Sequence, residues 1–104
     1  MLSKSKMVLV GFKLEDCRAC EIAAQKLRLM DLQVPMRECV IFLEKFDDWA
    51  PVMEQLSLDS FPTHILFDGE NPIDGWKDVR WSDDAAVDEF RDALLAAIDG
   101  HGSD

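Results

Sequence analysis

Residues 7–12 (Met-Val-Leu-Val-Gly-Phe) carry no polar side chain, and the first charge after them is Lys13. A strand with one face in water alternates apolar and polar residues. A short, β-branched run without alternation needs cover on both faces. A chain holding such a strand must therefore bring helices to two sides of a sheet. Residues 17–30 supply the first of them. Cys20, Ala23, Leu27 and Met30 recur at helical spacing with Ile22 beside them, while Arg18, Glu21, Gln25 and Arg28 take the opposite side. Asp16 is the expected N-cap, and Gln33–Pro35 the expected break.

The rest of the chain continues the alternation. Glu38–Leu43 reads as a second buried strand. Asp47 or Asp48 is placed to cap a short helix with Trp49, Val52, Met53 and Leu56 inward and Pro51 in its first turn, where a missing N–H costs little. Phe61–Phe67 reads as a third strand with a proline near its start. Asp68-Gly69 is a turn signal, and Pro72–Trp76 follows as a short edge strand, so close that the pair can only be antiparallel. Ser82 opens a last helix with Asp83 and Asp84 at its positive end and Val87, Phe90, Leu94, Ala97 and Ile98 as its stripe; Gly100 ends it. The expectation is one α/β domain over residues 1–104. It has a core at about 7–98, a disordered tail at 100–104, and a four-stranded mixed sheet flanked by three helices in the order βαβαββα, with Met7–Phe12 central and parallel to Glu38–Leu43.

The chemistry sits at the first strand-to-helix junction, in Cys17-Arg18-Ala19-Cys20. Residues at i and i+3 share a helix face, so the two sulfurs can meet in the first turn. The first cysteine falls where unpaired backbone N–H groups and the helix dipole favour a thiolate, which is the attacking species in disulfide exchange. The second is close enough to resolve a mixed disulfide. Arg18 favours the Cys17 thiolate while Glu15, Asp16 and Glu21 oppose it, and the sequence leaves the net sign open. A zinc site would need two more ligands, and Cys39 and His64 occur singly, without a second paired knuckle. Cys39 reads as a small strand hydrophobe and His64 as a strand residue beside a proline.

These motifs in this order resemble the thioredoxin family, over about residues 7–98. In that family the C-x-x-C stands where Cys17 and Cys20 stand. A cis-proline, here Pro62 after Phe61, packs against the disulfide and offers extended backbone to substrate. Asp68-Gly69 resembles the family's hairpin turn, and Gly75 the small residue of its substrate face. The family's additional N-terminal strand and helix have no counterpart, which is similar to the minimal core of glutaredoxin-like members. Several positions depart from the pattern. Asp16 replaces the tryptophan before the first cysteine, and Arg18-Ala19 replaces Gly-Pro. Gln25 stands about where the helix carries proline. Gly11 stands where typical thioredoxins bury an aspartate beneath the second cysteine.

The resemblance implies a thiol–disulfide oxidoreductase, with Cys17 and Cys20 catalytic and Asp16, Arg18, Phe61, Pro62, Gly75 and Trp76 bordering the substrate. The redox-active disulfide serves in place of a cofactor. Disulfide-bearing proteins would be the partners, and a reductase or glutathione the electron source. The alternative is a thioredoxin-fold binding module with incidental cysteines, which uses its acidic surface and the Gly75–Trp81 loop. In that loop Trp76 and Trp81 either grip a partner or cap the sheet edge. Composition narrows the partners further. The 21 acidic residues against 11 basic ones give a net charge of −10, which repels nucleic-acid phosphates and anionic lipid. No apolar run approaches the ~20 residues of a membrane span, and Lys4, Lys6 and the short run after them do not make a leader. Three cysteines are too few for a disulfide framework. The expectation is a cytoplasmic monomer.

Overall fold

In a computed structural model, which describes residues 7–30 and 32–102, the described residues form one four-stranded sheet and three α-helices. β1 is Met7–Leu14, α1 Arg18–Arg28, β2 Met36–Ile41, α2 Phe46–Leu56, β3 Thr63–Asp68, β4 Asn71–Trp76 and α3 Asp84–Gly102, with a 3-10 turn at Leu43–Lys45. The sheet order is β2-β1-β3-β4. β1 is central, parallel to β2 and antiparallel to β3, and β3 is antiparallel to β4.

Strand parity assigns the cores. Met7 and Leu9 of β1 and Leu66 of β3 point to the face covered by α1 and α3, where Ala23, Leu27, Phe90 and Leu94 meet them. Phe12 and Ile65 point the other way and pack with Ile41 and Leu58 beneath α2. The apolar run of β1 thus contributes to both cores, as a strand covered on two sides must.

Asp68 pairs with Asn71, so the β3–β4 loop is two residues, and Gly69 at φ +63° takes the left-handed position that such hairpins reserve for glycine. A register shift after Leu66 leaves Ile73 unmatched between Asp74 and Pro72. Pro72, with no N–H to donate, is tolerated because β4 is an edge.

Several boundaries differ from the sequence expectation. β2 begins at Met36 and ends at Ile41, two residues before the expected limits at each end. It is an outer strand with Arg37 and Glu38 exposed, not a buried one. Asp16 does not cap α1: it sits at φ +54°, and Cys17 is the N-cap. The 3-10 turn runs directly into α2, so that helix starts at Phe46 with Lys45 as N-cap, and Asp47 and Asp48 lie inside its first turn. Pro51 consequently falls in the second turn, where it withholds an N–H from the carbonyl of Asp47. Of the residues expected inward, Trp49, Met53 and Leu56 are half-buried against the lower core, while Val52 is 36 % exposed. In α3 the cap is Asp83 rather than Ser82: its carboxylate accepts the N–H of Ala85 at 3.0 Å, and its carbonyl that of Val87 at 3.0 Å. Gly100 does not end α3, which continues through Gly102, and the tail at 103–104 lies outside the described residues, as do Lys4 and Lys6.

Candidate active site

Cys17 and Cys20 form a disulfide with their Cα atoms 5.2 Å apart. The local sequence explains the placement. β1 ends at Leu14, Asp16 turns the chain through a left-handed backbone conformation, and Cys17 enters the helix in an extended one (φ −107°, ψ 107°). As N-cap, Cys17 accepts the backbone N–H of Cys20 on its Sγ at 3.2 Å, and the N–H of Glu21 on its carbonyl at 3.1 Å. A cap normally uses a hydroxyl or carboxylate oxygen; here the sulfur does it. The same N–H is available to a thiolate once the disulfide opens. Cys17 is half-buried, whereas Cys20 is 3 % exposed. The first cysteine of the pair is partly exposed and the second is buried.

The enclosure is a small cavity of about 10 Å³ whose walls include Gly11, Lys13, Cys20, Glu38, Pro62 and His64, about enough for one water molecule. The peptide bond before Pro62 is cis, and Thr63, after it, donates its hydroxyl to the carbonyl of Ser60 at 2.7 Å. Lys13 and Glu38 form an ion pair of 2.8 Å, both partly exposed. His64 is 3 % exposed, and burial pushes its pKa down from 6.5 to about 4 despite the opposing charge of Glu38. Its Nδ1 is buried without a hydrogen-bond partner.

The remaining candidate residues are spread around this centre. Asp16 and Arg18 are exposed beside Cys17. Phe61 is half-buried and leans on the α2 core. Gly75 is exposed, and a Cβ placed there would lie 3.6 Å from the carbonyl oxygen of His64. Trp76 is half-buried, with its ring T-shaped to Phe90 at 5.5 Å. Together with residues of α2 and β3, Gly75 and Trp76 line an open groove of about 310 Å³. Trp81 is 4 % exposed and packs on both His64 (5.1 Å) and Phe90 (5.0 Å). Of the two readings of the tryptophan loop, Trp81 takes the structural one: its ring is core, and no partner can grip it. The loop is fastened at its start by Lys77, which pairs with Asp59 at 2.8 Å and holds the Asp59 carboxyl below its ordinary range.

Cys39 is a free, half-buried thiol on β2 whose pKa is raised by desolvation. Among the described residues no three His, Cys, Asp or Glu side chains are grouped so as to hold a metal ion, and no helix is long and apolar enough to cross a membrane.

Sequence reasoning placed His64 on a strand but missed its burial against the cavity. The available signal was Gly11, a side-chain-free position inside an otherwise bulky strand, which often marks the close approach of another group.

No protein-family model and no curated protein sequence matches the chain. Solved structures do. Thioredoxin from Malassezia sympodialis superposes with a TM-score of 0.61 at 15% identity, over 93% of this chain and 79% of that one. Chlamydomonas reinhardtii thioredoxin f2 gives 0.58 at 19% identity, over 92% and 79%. Oxidised thioredoxin from Plasmodium falciparum gives 0.57 at 18% identity, over 88% and 83%. The chain has the thioredoxin fold.

Proposed function

We propose that this protein is a thiol–disulfide oxidoreductase acting through Cys17 and Cys20. The observation that carries the reading is the asymmetric disulfide at the start of α1, with a partly exposed cysteine at the N-cap and a buried one a turn later. In the reduced protein the Cys17 thiolate, held by the Cys20 N–H, attacks a substrate disulfide, whose S–S bond breaks to release the first substrate thiolate and leave a mixed disulfide. Cys20 then attacks the Cys17 sulfur, the second substrate thiolate leaves, and the Cys17–Cys20 bond is restored. Two electrons pass from the dithiol to the substrate. A reductase or glutathione returns them.

The substrate class is an extended peptide segment bearing a disulfide, lying along Phe61-Pro62 as a short added strand. Asp16, Arg18, Gly75 and Trp76 border that path and set preference. Net charge steers basic partners, an effect on association rate that salt weakens. Insulin reduction with dithiothreitol as electron source tests the activity. The expected result is catalysis by the native protein, its abolition by Cys17→Ser, and accumulation of mixed disulfides by Cys20→Ser. Alkylation of the reduced protein should label Cys17 before Cys20; the reverse order would refute these roles. An inert native protein would leave only the binding-module reading.

A further inference from the structure

The registers place four residues in one row across the sheet: Glu38 opposite Gly11, Gly11 opposite His64, and His64 opposite Trp76. They share the face covered by α1, the helix that carries Cys20. The absence of a side chain at position 11 is what admits the imidazole. A Cβ there would lie 3.0 Å from His64 Cδ2 and 3.1 Å from Nε2, tighter than ordinary van der Waals contact. That edge of the ring, with Cys20, walls the cavity described above. The ring also packs against Trp81 and Phe90. A polar ring so deeply buried is costly for the fold and needs a reason; the nitrogen beside Gly11 on the cavity side is Nε2, not the unpartnered Nδ1.

Cys20 supplies one, on the reading that the pair exchanges disulfides. To resolve a mixed disulfide, enclosed Cys20 must shed its thiol proton and hold negative charge on sulfur in an apolar setting, where an anion without a hydrogen-bond partner is disfavoured. We propose that His64, as neutral imidazole, is the hydrogen-bond donor for the Cys20 thiolate across this cavity, directly or through one water, and so sets how readily Cys20 resolves a mixed disulfide. The charged groups facing the cavity are Lys13 from β1 and Glu38 from β2, paired with each other where it meets solvent. The proton of Cys20 passes to solvent water or hydroxide on that side. The Cys20 thiolate then attacks Cys17 Sγ, the bond from Cys17 to the substrate sulfur breaks, the intramolecular disulfide forms, and the departing thiolate takes a proton from water. His64 is neither oxidised nor consumed.

The test uses the full-length reduced protein carrying Cys39→Ala, so that only the two site thiols react, and a symmetric nitroaryl disulfide whose released thiol absorbs visible light. The first thiol released reports attack by Cys17, and the second reports resolution by Cys20. His64→Phe keeps the aromatic packing and removes the donor. The first phase should change less than about twofold. The second should slow about tenfold near neutral pH, with its pH midpoint raised by about one unit, the equivalent of that factor. A second phase with unchanged rate and midpoint overturns the proposal. Absence of the first phase in the unsubstituted protein would instead remove the oxidoreductase reading, and the proposal with it. Should His64→Phe not fold, His101→Gln leaves one histidine for ¹⁵N spectroscopy of the reduced protein. The ring nitrogens of His64 should shift at the same pH as the second-phase midpoint, and a ring indifferent to Cys20 ionisation overturns the proposal.

Discussion

On the face under α1 and α3, Leu9, Leu66, Leu94 and Ile98 are completely buried and a continuous apolar cluster runs the length of the sheet. On the face under α2 the buried set is Phe12, Ile41, Leu58 and Ile65, and no residue of α2 is among them. α2 rests on the sheet through half-buried Trp49, Met53 and Leu56, lacks a side-chain cap, loses a hydrogen bond at Pro51, and leaves Phe46 and Val52 exposed. Yet the thicker core holds the costly buried polar group, His64, whose Nδ1 has no partner, whereas the polar side chain buried on the other face, Thr63, gives its hydroxyl to the Ser60 carbonyl. A site that needs an enclosed sulfur and an enclosed imidazole belongs where packing has stability to spare.

Substitutions can break or sharpen this contrast. Leu94→Ala, under α3, should cost about 3 kcal/mol in urea unfolding; a loss below about 1 kcal/mol would show that this core is looser than its burial implies. The next largest effect is set by pH. Above pH 6.5 the His64 ring is neutral in both states. As pH falls from 6.5 towards 4 the unfolded chain takes up a proton that the folded ring refuses. Stability drops through that window, by up to about 3 kcal/mol. His64→Phe should flatten this stretch of the profile. A lower stretch should remain, because the carboxyls of Asp59 and Asp84, held low by Lys77 and Lys26, lose their stabilising charge only on further acidification. Gly11→Ala should cost on the order of 1 kcal/mol by displacing the ring and should slow resolution by Cys20. Met53→Ala, on α2, should cost about 1 kcal/mol or less, and α2 amides should exchange with solvent sooner than those of α3. Equal losses for Met53→Ala and Leu94→Ala would abolish the contrast between the faces. On the activity side, Trp76→Ala should raise KM for a protein disulfide while leaving a small-molecule disulfide almost unaffected; equal losses on both would make Trp76 a structural residue held by Phe90.

The element order was legible because each signal is local. The period of residues 17–30, the apolar run of β1 and the Asp68-Gly69 turn need no tertiary information. The errors fall where tertiary context decides. Ile41, Phe42 and Leu43 read as one apolar strand, but the last two leave the sheet for a 3-10 turn, and Phe42 is 46 % exposed. Asp16 is the better cap on composition, yet the left-handed turn at that residue hands the role to a sulfur. Trp81 could be read as grip or core because nothing local says that Phe90, nine residues on, and His64, seventeen before, would converge on it. The position of His64 is the clearest case. A row running through four strands exists only in the folded sheet.

The hairpin also bears on how this chain behaves when crowded. An open sheet edge is a template on which a stray strand from another molecule can grow. β4 spoils that template twice: Pro72 cannot donate, and the unmatched Ile73 throws the ladder out of step. At the opposite margin β2 carries the exposed charges Arg37 and Glu38. With a strong excess of like charge added, concentrated solutions should resist edge-to-edge polymerisation, and straightening the bulge by deleting Ile73 is the change that would invite fibrils.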